Sequence, residues 1–329
     1  MTQQEVNFTK TQERILSIDI FKGLAVLLMV FVNSIQIYEN IPAWTKHAGD
    51  YGLTYVDLVA PFFVFMLALN LNISYNRRVE ILGKKRSLVK YLRRYLTFIG
   101  IGLALTIYVD VNEFYLRWGT LQVLGASGLM VLPLLHLKPY IKLIFAVFFM
   151  TLHQYLLFTP LSTVIYNALE GGIFGIFSWG SMMILSSFLA EGLNNEKKYI
   201  MYYFFFGGLI CLITGFNLAF IFSLSRPYIS LPYILVSVGI ASIVYYILYC
   251  LYDKWIKRYQ CSIKLRILSP VGRNAFISYI THILFAWLIF SVFPITTPGI
   301  IIFSVAILHT TFIWILTYFM NKQEAYFVI

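Results

Sequence analysis

Long apolar runs separated by short polar loops dominate this chain from end to end. Each run is close to the length of about 20 residues that crosses a bilayer as a helix. The runs lie at 15–38, 53–75, 90–109, 118–135, 141–158, 172–190, 200–222, 230–252, 271–293 and 298–320. The pattern predicts an all-α fold, a polytopic transmembrane helix bundle with about ten spans. Residues 15–320 would form the membrane domain, between a short amino-terminal segment (1–14) and a short tail (321–329).

Composition supports the membrane assignment and excludes several other classes. Of the 329 residues, 60% are hydrophobic and only 12% are charged, whereas a soluble domain carries about 25% charged residues. The first residues are polar and the first apolar run is long, so we expect no cleavable signal peptide. The net charge of +11 does not indicate nucleic-acid binding, because the basic residues cluster at the ends of apolar runs. The three cysteines show no metal-like spacing, and no metal is expected.

The distribution of Lys and Arg predicts how the chain is oriented. With the amino terminus in the cytoplasm, 22 of the 25 Lys and Arg residues fall on the cytoplasmic side. Only Lys46, Arg117 and Arg226 fall on the opposite side. Because positive residues are retained inside, this split predicts a multi-pass protein of the cell membrane with both termini cytoplasmic.

The first predicted span carries polar residues at both ends of one face. Asp19 and Lys22 lie at its cytoplasmic end and Asn33 at its extracytoplasmic end. At about 100° per residue, Lys22 and Asn33 lie within about 60° of Asp19 around the helix. The rise from Lys22 to Asn33 is about 16 Å. A purely structural interpretation stays open, in which Asp19 and Lys22 pair near the headgroups and Asn33 joins two helices.

A polar cluster at the mouth of the second span indicates a site on the outer face. His47 lies in a loop, and Asp57 stands directly before an apolar run, where a charge must be compensated. Asn33 ends the first span on the same side. His47 could act as a base near neutral pH, and Asn33 could orient the imidazole or donate to a developing oxyanion. A loop histidine that merely faces water is the alternative. Of the other histidines, His136 lies in a basic cytoplasmic loop, and interhelical hydrogen bonds are expected for His153, His282 and His309 within the spans.

Several segments resemble one known family, in the same order along the chain. The two most specific are RILSIDIFKGLAVLLMVFVN (Arg14–Asn33) and HAGDYGLTYVDLVAPFFVF (His47–Phe65). Weaker similarities lie at Arg117–Gly125, Ser225–Gly239 and Gly272–Ile280. Together they resemble the heparan-α-glucosaminide N-acetyltransferase family. Lys22 stands where that family has Arg, Asp50 where it has Trp, and Ala60 where it has Phe.

The resemblance implies a transmembrane acyltransferase that uses acetyl-CoA, or another acyl-CoA, from the cytoplasm. His47 would be the catalytic histidine, as general base or acyl carrier, with Asn33 and Asp57 beside it. Coenzyme A carries several phosphate charges, so it needs basic groups at the cytoplasmic end. The expected coenzyme-binding residues are Asp19, Lys22, Arg93, Arg94, Arg273 and Asn274.

The sequence leaves the acceptor and two other functional classes open. Short outer loops favour a small sugar or a lipid-linked sugar as acceptor, with an amine or hydroxyl receiving the acyl group. A secondary transporter for an anionic solute would use Asp19, Lys22 and Asp57 as relay or gate. A membrane scaffold would need none of these residues. The lipid bilayer is the expected surrounding, and a homodimer is compatible with so large an apolar surface.

Overall fold

The structure, a computed structural model, describes residues 15–109, 114–116, 118–193, 198–256 and 267–326. The predicted amino-terminal segment 1–14, Arg117 and Cys261 lie outside the described residues. The helices of the first half are α1 (Leu16–Ile35), α2 (Val59–Leu82), α3 (Lys84–Thr106), α4 (Thr120–Val131), α5 (Pro139–Leu156), α6 (Leu161–Asn167) and α7 (Gly175–Leu189). Those of the second half are α8 (Lys198–Ile200), α9 (Gly207–Leu218), α10 (Leu231–Tyr249), α11 (Ser269–Arg273), α12 (Ala275–Val292) and α13 (Gly299–Lys322).

Short irregular elements connect these helices. Five 3₁₀ turns lie at Ala43–Thr45, Tyr55–Leu58, Leu132–Leu134, Leu169–Gly171 and Ala190–Leu193 among the described residues. Two π turns, Met201–Phe206 and Cys250–Ile256, precede α9 and follow α10. Strands β1 (Ile107–Val109) and β2 (Phe114–Leu116) pair antiparallel, with Tyr108 opposite Tyr115.

The predicted helical membrane bundle is confirmed, and a helix occupies each of the ten predicted spans. Among the described residues, seven helices are long and apolar enough to cross a membrane. Helices α5 and α6 form an eighth span if they are taken together, although they meet at an angle of 101°. The helices in the remaining two predicted spans, α3 and α4, are not among these candidates, each for its own reason. The first half of α3 is rich in Lys and Arg, whereas α4 and its 3₁₀ extension are short.

Helix α1 begins against a carboxylate that lies 237 residues further along the chain. Asp253, in the π turn after α10, accepts hydrogen bonds from the backbone N–H groups of Leu16 (2.9 Å) and Ser17 (2.8 Å). These N–H groups have no partner within their own helix, and a negative charge at a helix amino terminus is favourable. Asp253 therefore fixes the start of α1 against the end of α10.

Two glycines let α1 approach α11 closely. A Cβ added at Gly23 would lie 2.1 Å from the carbonyl oxygen of Leu268. A Cβ at Gly272 would lie 1.8 Å from the carbonyl oxygen of Asp19. Any larger residue at either position would force these backbones apart. The close approach brings Arg273, the last residue of α11, beside the polar end of α1.

Three long-range hydrogen bonds fix the loop between α1 and α2. The backbone N–H of Gly52 donates to the carbonyl oxygen of Leu224 at 2.8 Å. The hydroxyl of Tyr233 in α10 donates to the carbonyl oxygen of Asp57 at 2.7 Å. Asp50 accepts a hydrogen bond from Tyr166 of α6 at 2.6 Å. The polar loop is therefore held against α6 and α10 at one end of the bundle.

We expect the substitution Gly23→Ala to destabilise the protein by about 1–3 kcal/mol, the usual range for overpacking a close contact. The obstacle is a backbone oxygen, which cannot move aside as a flexible side chain would. Thermal unfolding in detergent measures the effect. Gly100→Ala in α3 is the matched control, because its Cβ would meet nothing within 4 Å. Equal melting temperatures for the two variants would contradict this account of the α1–α11 contact.

Candidate active site

One elongated cavity of about 790 Å³ runs along α1. This volume lies within the range of about 300–1,000 Å³ that is usual for small-molecule sites. Lys22, Met29 and Asn33 of α1 line it, as does Gln36, which directly follows the helix. Their spacing along one helix gives the cavity a length of about 21 Å. It therefore joins the two polar ends of the first span, as the helical spacing of Lys22 and Asn33 indicated.

Helix α2 supplies the facing wall of this cavity. Its lining residues recur every three or four positions, which places them on one face of the helix. The middle of the wall is apolar, and its far end is polar. These residues are Val59, Ala60, Phe63, Met66, Leu67, Asn70, Ser74 and Arg78.

At one end of the cavity, His47 and Asp57 form the pair suggested by the sequence. The ring nitrogen Nδ1 of His47 donates to Oδ1 of Asp57 at 2.7 Å. Asp57 is almost fully buried, whereas 39% of the His47 side chain is exposed. The carboxylate fixes the tautomer of the ring, since it can only accept a hydrogen bond when ionised. Nε2 is then the nitrogen that remains for a substrate.

The local sequence explains how Asp57 is held. Its second oxygen, Oδ2, accepts hydrogen bonds from the backbone N–H groups of Ala48 (3.1 Å) and Thr54 (2.8 Å). Thr54 and Asp57 form a capping box around the 3₁₀ turn Tyr55–Leu58, the usual reciprocal arrangement at a helix start. The Thr54 hydroxyl also donates to Oδ2, at 3.1 Å. Donors from His47, Ala48 and Thr54 therefore compensate the buried charge.

Asn33 lines the same cavity but makes its hydrogen bonds elsewhere. Its Nδ2 lies 3.3 Å from Nε2 of His282 in α12, and its Oδ1 accepts from Gln36 at 3.3 Å. His282 also stacks on His309, with ring centroids 5.3 Å apart. The expected interhelical hydrogen bond of His282 is present, and His282 also lines the cavity. Asn33 is thus positioned by α12, on the cavity that His47 faces.

Positive groups gather at the opposite end of the cavity. Lys22 Nζ donates to Oδ1 of Asn70 at 2.6 Å. Arg273 lies beside Asp19, with Nε 3.8 Å from Oδ2. Arg78 and Arg94 line the same region. The predicted residues Asp19, Lys22, Arg94 and Arg273 therefore come together here, and Arg78 joins them.

Two other predicted coenzyme-binding residues lie apart from this cluster. Arg93 lines a surface groove on α3 and not the cavity, whereas Arg94 lines both. Asn274 is fully buried at the junction of α11 and α12. Within the part of the chain that the structure describes, neither polar atom of its side chain has a hydrogen-bond partner.

An ion pair that sequence reasoning missed also lines the cavity. Arg226 donates through Nη2 to Oε1 of Glu170 at 2.8 Å. The pKa of Arg226 is raised: burial opposes its charge, but its interactions with Glu170, Tyr233 and Asp57 outweigh that effect. The one local sequence feature that could have drawn attention to this pair is the Glu–Gly–Gly turn at 170–172, in which all three residues have positive φ. No group of three or more His, Cys, Asp or Glu residues suited to a metal ion occurs among the described residues.

Comparison with known proteins gives the family. The family profile described as heparan-alpha-glucosaminide N-acetyltransferase, catalytic, matches residues 14–202. The human heparan-alpha-glucosaminide N-acetyltransferase (Homo sapiens) is 37% identical over 140 residues, which is 38% of this chain and 20% of the human protein. The Mus musculus enzyme is 35% identical over 130 residues, 36% of this chain and 18% of the mouse protein. The chain thus matches about a fifth of the length of these relatives. Because the profile covers more than half of the sequence, the chain belongs to the heparan-alpha-glucosaminide N-acetyltransferase catalytic family.

Proposed function

We propose that this protein is a membrane-embedded acyltransferase that moves an acetyl group from acetyl-CoA to an amine of a sugar-type acceptor. The observation that carries the proposal is the single cavity that joins a cluster of cations to the His47–Asp57 pair. Donor and acceptor would enter from opposite ends and meet near His47. Family membership supports the same reaction.

The shape and charge of the cavity suit an extended acyl-CoA. Its phosphates would lie at the cationic end, where Lys22, Arg94 and Arg273 offer charge-assisted hydrogen bonds. The pantetheine arm would lie along the apolar walls of α1 and α2, over the length of about 21 Å derived from the helical rise. The thioester would then reach the end that holds His47. We place the cationic end in the cytoplasm, following the predicted orientation of the chain.

The His47–Asp57 pair can move the proton that the reaction releases. The neutral amine attacks the thioester carbonyl carbon, so a C–N bond forms and the C–S bond breaks. Nε2 of His47 takes the amine proton and passes it to the leaving thiolate, and the products are an amide and free CoA. Asp57 holds the ring and stabilises its charged form during the transfer. Nδ2 of Asn33 is the candidate donor to the carbonyl oxygen as that oxygen becomes negative.

A two-step route through His47 is the alternative order of events. The imidazole would then attack the thioester first, and the amine would take the acetyl group from Nε2. Acetyl label retained on the protein without acceptor would favour this route, and its absence would favour direct transfer.

The names of the relatives suggest the acceptor. The human and mouse proteins are named for an alpha-glucosaminide of heparan, so a glucosamine-type amine is the acceptor we propose. The loops around His47 are short, which favours a small or lipid-linked sugar over a long polymer.

The substitution His47→Ala should abolish acetyl transfer from labelled acetyl-CoA to glucosamine, because Nε2 is the only base proposed at the reacting end. Transfer is measured with the purified protein in liposomes. His136→Ala is the matched control, since His136 is exposed and does not line the cavity. Full activity of the His47 variant would contradict the mechanism. Solute uptake without a covalent product would favour a transporter instead.

The substitution Arg94→Ala should raise the KM for acetyl-CoA about ten- to hundredfold, as expected for the loss of a hydrogen bond between charged groups. Arg93→Ala is the matched control on the same helix. Arg93 lines only the surface groove, so its effect should be several times smaller. Steady-state kinetics with varied acetyl-CoA separates the two variants. An equal or larger effect of Arg93→Ala would contradict the proposal that the coenzyme binds in the cavity.

A further inference from the structure

The carboxylate of Glu170 is only half satisfied. Oε1 accepts hydrogen bonds from Arg226 at 2.8 Å and from Thr120 at 3.3 Å. Oε2 is buried and has no hydrogen-bond partner among the described residues. Only 6% of the residue is exposed. A buried charged oxygen without a partner is costly and usually indicates a missing ligand or water.

The backbone at this position is strained as well. Glu170 has φ +53° and ψ +30°, a left-handed conformation that is uncommon for residues other than Gly, Asn and Asp. The surrounding structure holds this conformation in place: a Cβ at Gly175 would lie 2.0 Å from the carbonyl oxygen of Glu170. Such strain is most often kept where a side chain must be presented in one direction.

A second ion pair, in which Lys142 is the buried partner, shows that the strained conformation of Glu170 is not needed merely to bury a charge. Lys142 pairs with Glu191 between α5 and the 3₁₀ turn Ala190–Leu193. That pair does not line the cavity. Glu170 differs from Glu191 because it lines the cavity.

The Glu170–Arg226 pair lies at the same end of the bundle as His47 and Asp57. Tyr233 is near both pairs: its hydroxyl donates to the carbonyl oxygen of Asp57 at 2.7 Å, and it interacts electrostatically with Arg226 and Glu170. The segment that carries Arg226 also contains Leu224, which accepts the hydrogen bond from Gly52 of the His47 loop. His47, Asp57, Glu170 and Arg226 all line one cavity.

We propose that Glu170, oriented by Arg226, is the specificity-determining residue that binds the ammonium group of the acceptor beside His47. The proposal rests on the proposed acyltransferase function and assigns its acceptor end. Oε2 offers a cationic amino sugar a carboxylate oxygen that the ion pair with Arg226 leaves without a hydrogen-bond partner. An ammonium group makes a charge-assisted hydrogen bond to such an oxygen, which a neutral hydroxyl group cannot match, so the subsite would favour amines over alcohols.

The protons balance as follows. The bound ammonium first releases one proton to water, and the neutral amine then attacks the thioester while His47 takes the second proton. The anionic carboxylate stabilises the ammonium and so raises the pKa of the bound amine. Turnover should therefore rise with pH as that amine loses its proton.

The first test is the substitution Glu170→Gln, assayed with labelled acetyl-CoA and glucosamine. We expect the KM for glucosamine to rise about tenfold or more, as for the loss of a hydrogen bond to a charged group, while the KM for acetyl-CoA stays unchanged. Glu191→Gln is the matched control, because it breaks a buried ion pair away from the cavity. It should lower the melting temperature and leave both KM values unchanged. An unchanged KM for glucosamine in the Glu170 variant would overturn the proposal.

The second test is the pH profile of kcat, which a merely structural role would not move. Removal of the carboxylate should shift the acidic limb to lower pH by about one unit, the effect of one nearby charge. The other titratable and charged groups facing Glu170 are Arg226, Tyr233, Tyr279 and the His47–Asp57 pair, and all are present in both proteins. Coincident acidic limbs would count against an ammonium subsite.

A third measurement needs no variant and covers the case in which Glu170→Gln does not fold. The unaltered protein is assayed with glucosamine as acceptor and with glucose as competitor. The inhibition constant of glucose should be at least tenfold higher than the KM for glucosamine. Equal values would overturn the proposal. Absence of transfer to any acceptor would instead count against the proposed function. Normal transfer without discrimination would count against the Glu170 subsite alone.

Discussion

The buried carboxylate of Asp57 is the constraint on which the proposed site depends. It lies at the start of an apolar helix, where an uncompensated charge would be costly. Its hydrogen-bond donors are the ring of His47, the backbone N–H groups of Ala48 and Thr54, and the hydroxyl of Thr54. Because all of these donors belong to the loop between α1 and α2, satisfying the charge also fixes the loop conformation. The position of His47 is therefore a consequence of where Asp57 is buried.

Helix α1 connects this end of the bundle to the cationic end. Its start is capped by Asp253, and Gly23 gives it close contact with α11. Both features are far from His47, yet they determine how Lys22 and Asn33 lie along the cavity. A rigid α1 keeps a constant distance between the groups proposed to bind the phosphates and the groups proposed to act on the thioester.

Much of the architecture and part of the site could be predicted from local sequence patterns. The lengths of the apolar runs predicted the helices, and the Thr54–Asp57 spacing is a local capping signal. The pairing of His47 with Asp57 was accessible because both belong to one short segment. The contact between Asn33 and His282 was not, since 249 residues separate them. The sequence could not distinguish Arg93 from Arg94 either. Adjacent residues lie about 100° apart around a helix, and only the packing of α3 shows which of the two faces the cavity.

The ion pairs around the cavity show why the pairing of Asp19 with Arg273, and the Glu170–Arg226 pair altogether, escaped sequence reasoning. Asp19 pairs with Arg273, and Glu170 pairs with Arg226, each across a large separation along the chain. The two partners of each pair belong to different elements. In the sequence, each partner therefore looks like an ordinary charged residue of a loop or a helix end. What distinguishes Glu170 is the oxygen that its pair leaves without a partner, a property of the folded arrangement rather than of the sequence. Because buried polar atoms are normally hydrogen-bonded, a carboxylate oxygen that faces the cavity without a partner is a structural indication of where a charged substrate binds.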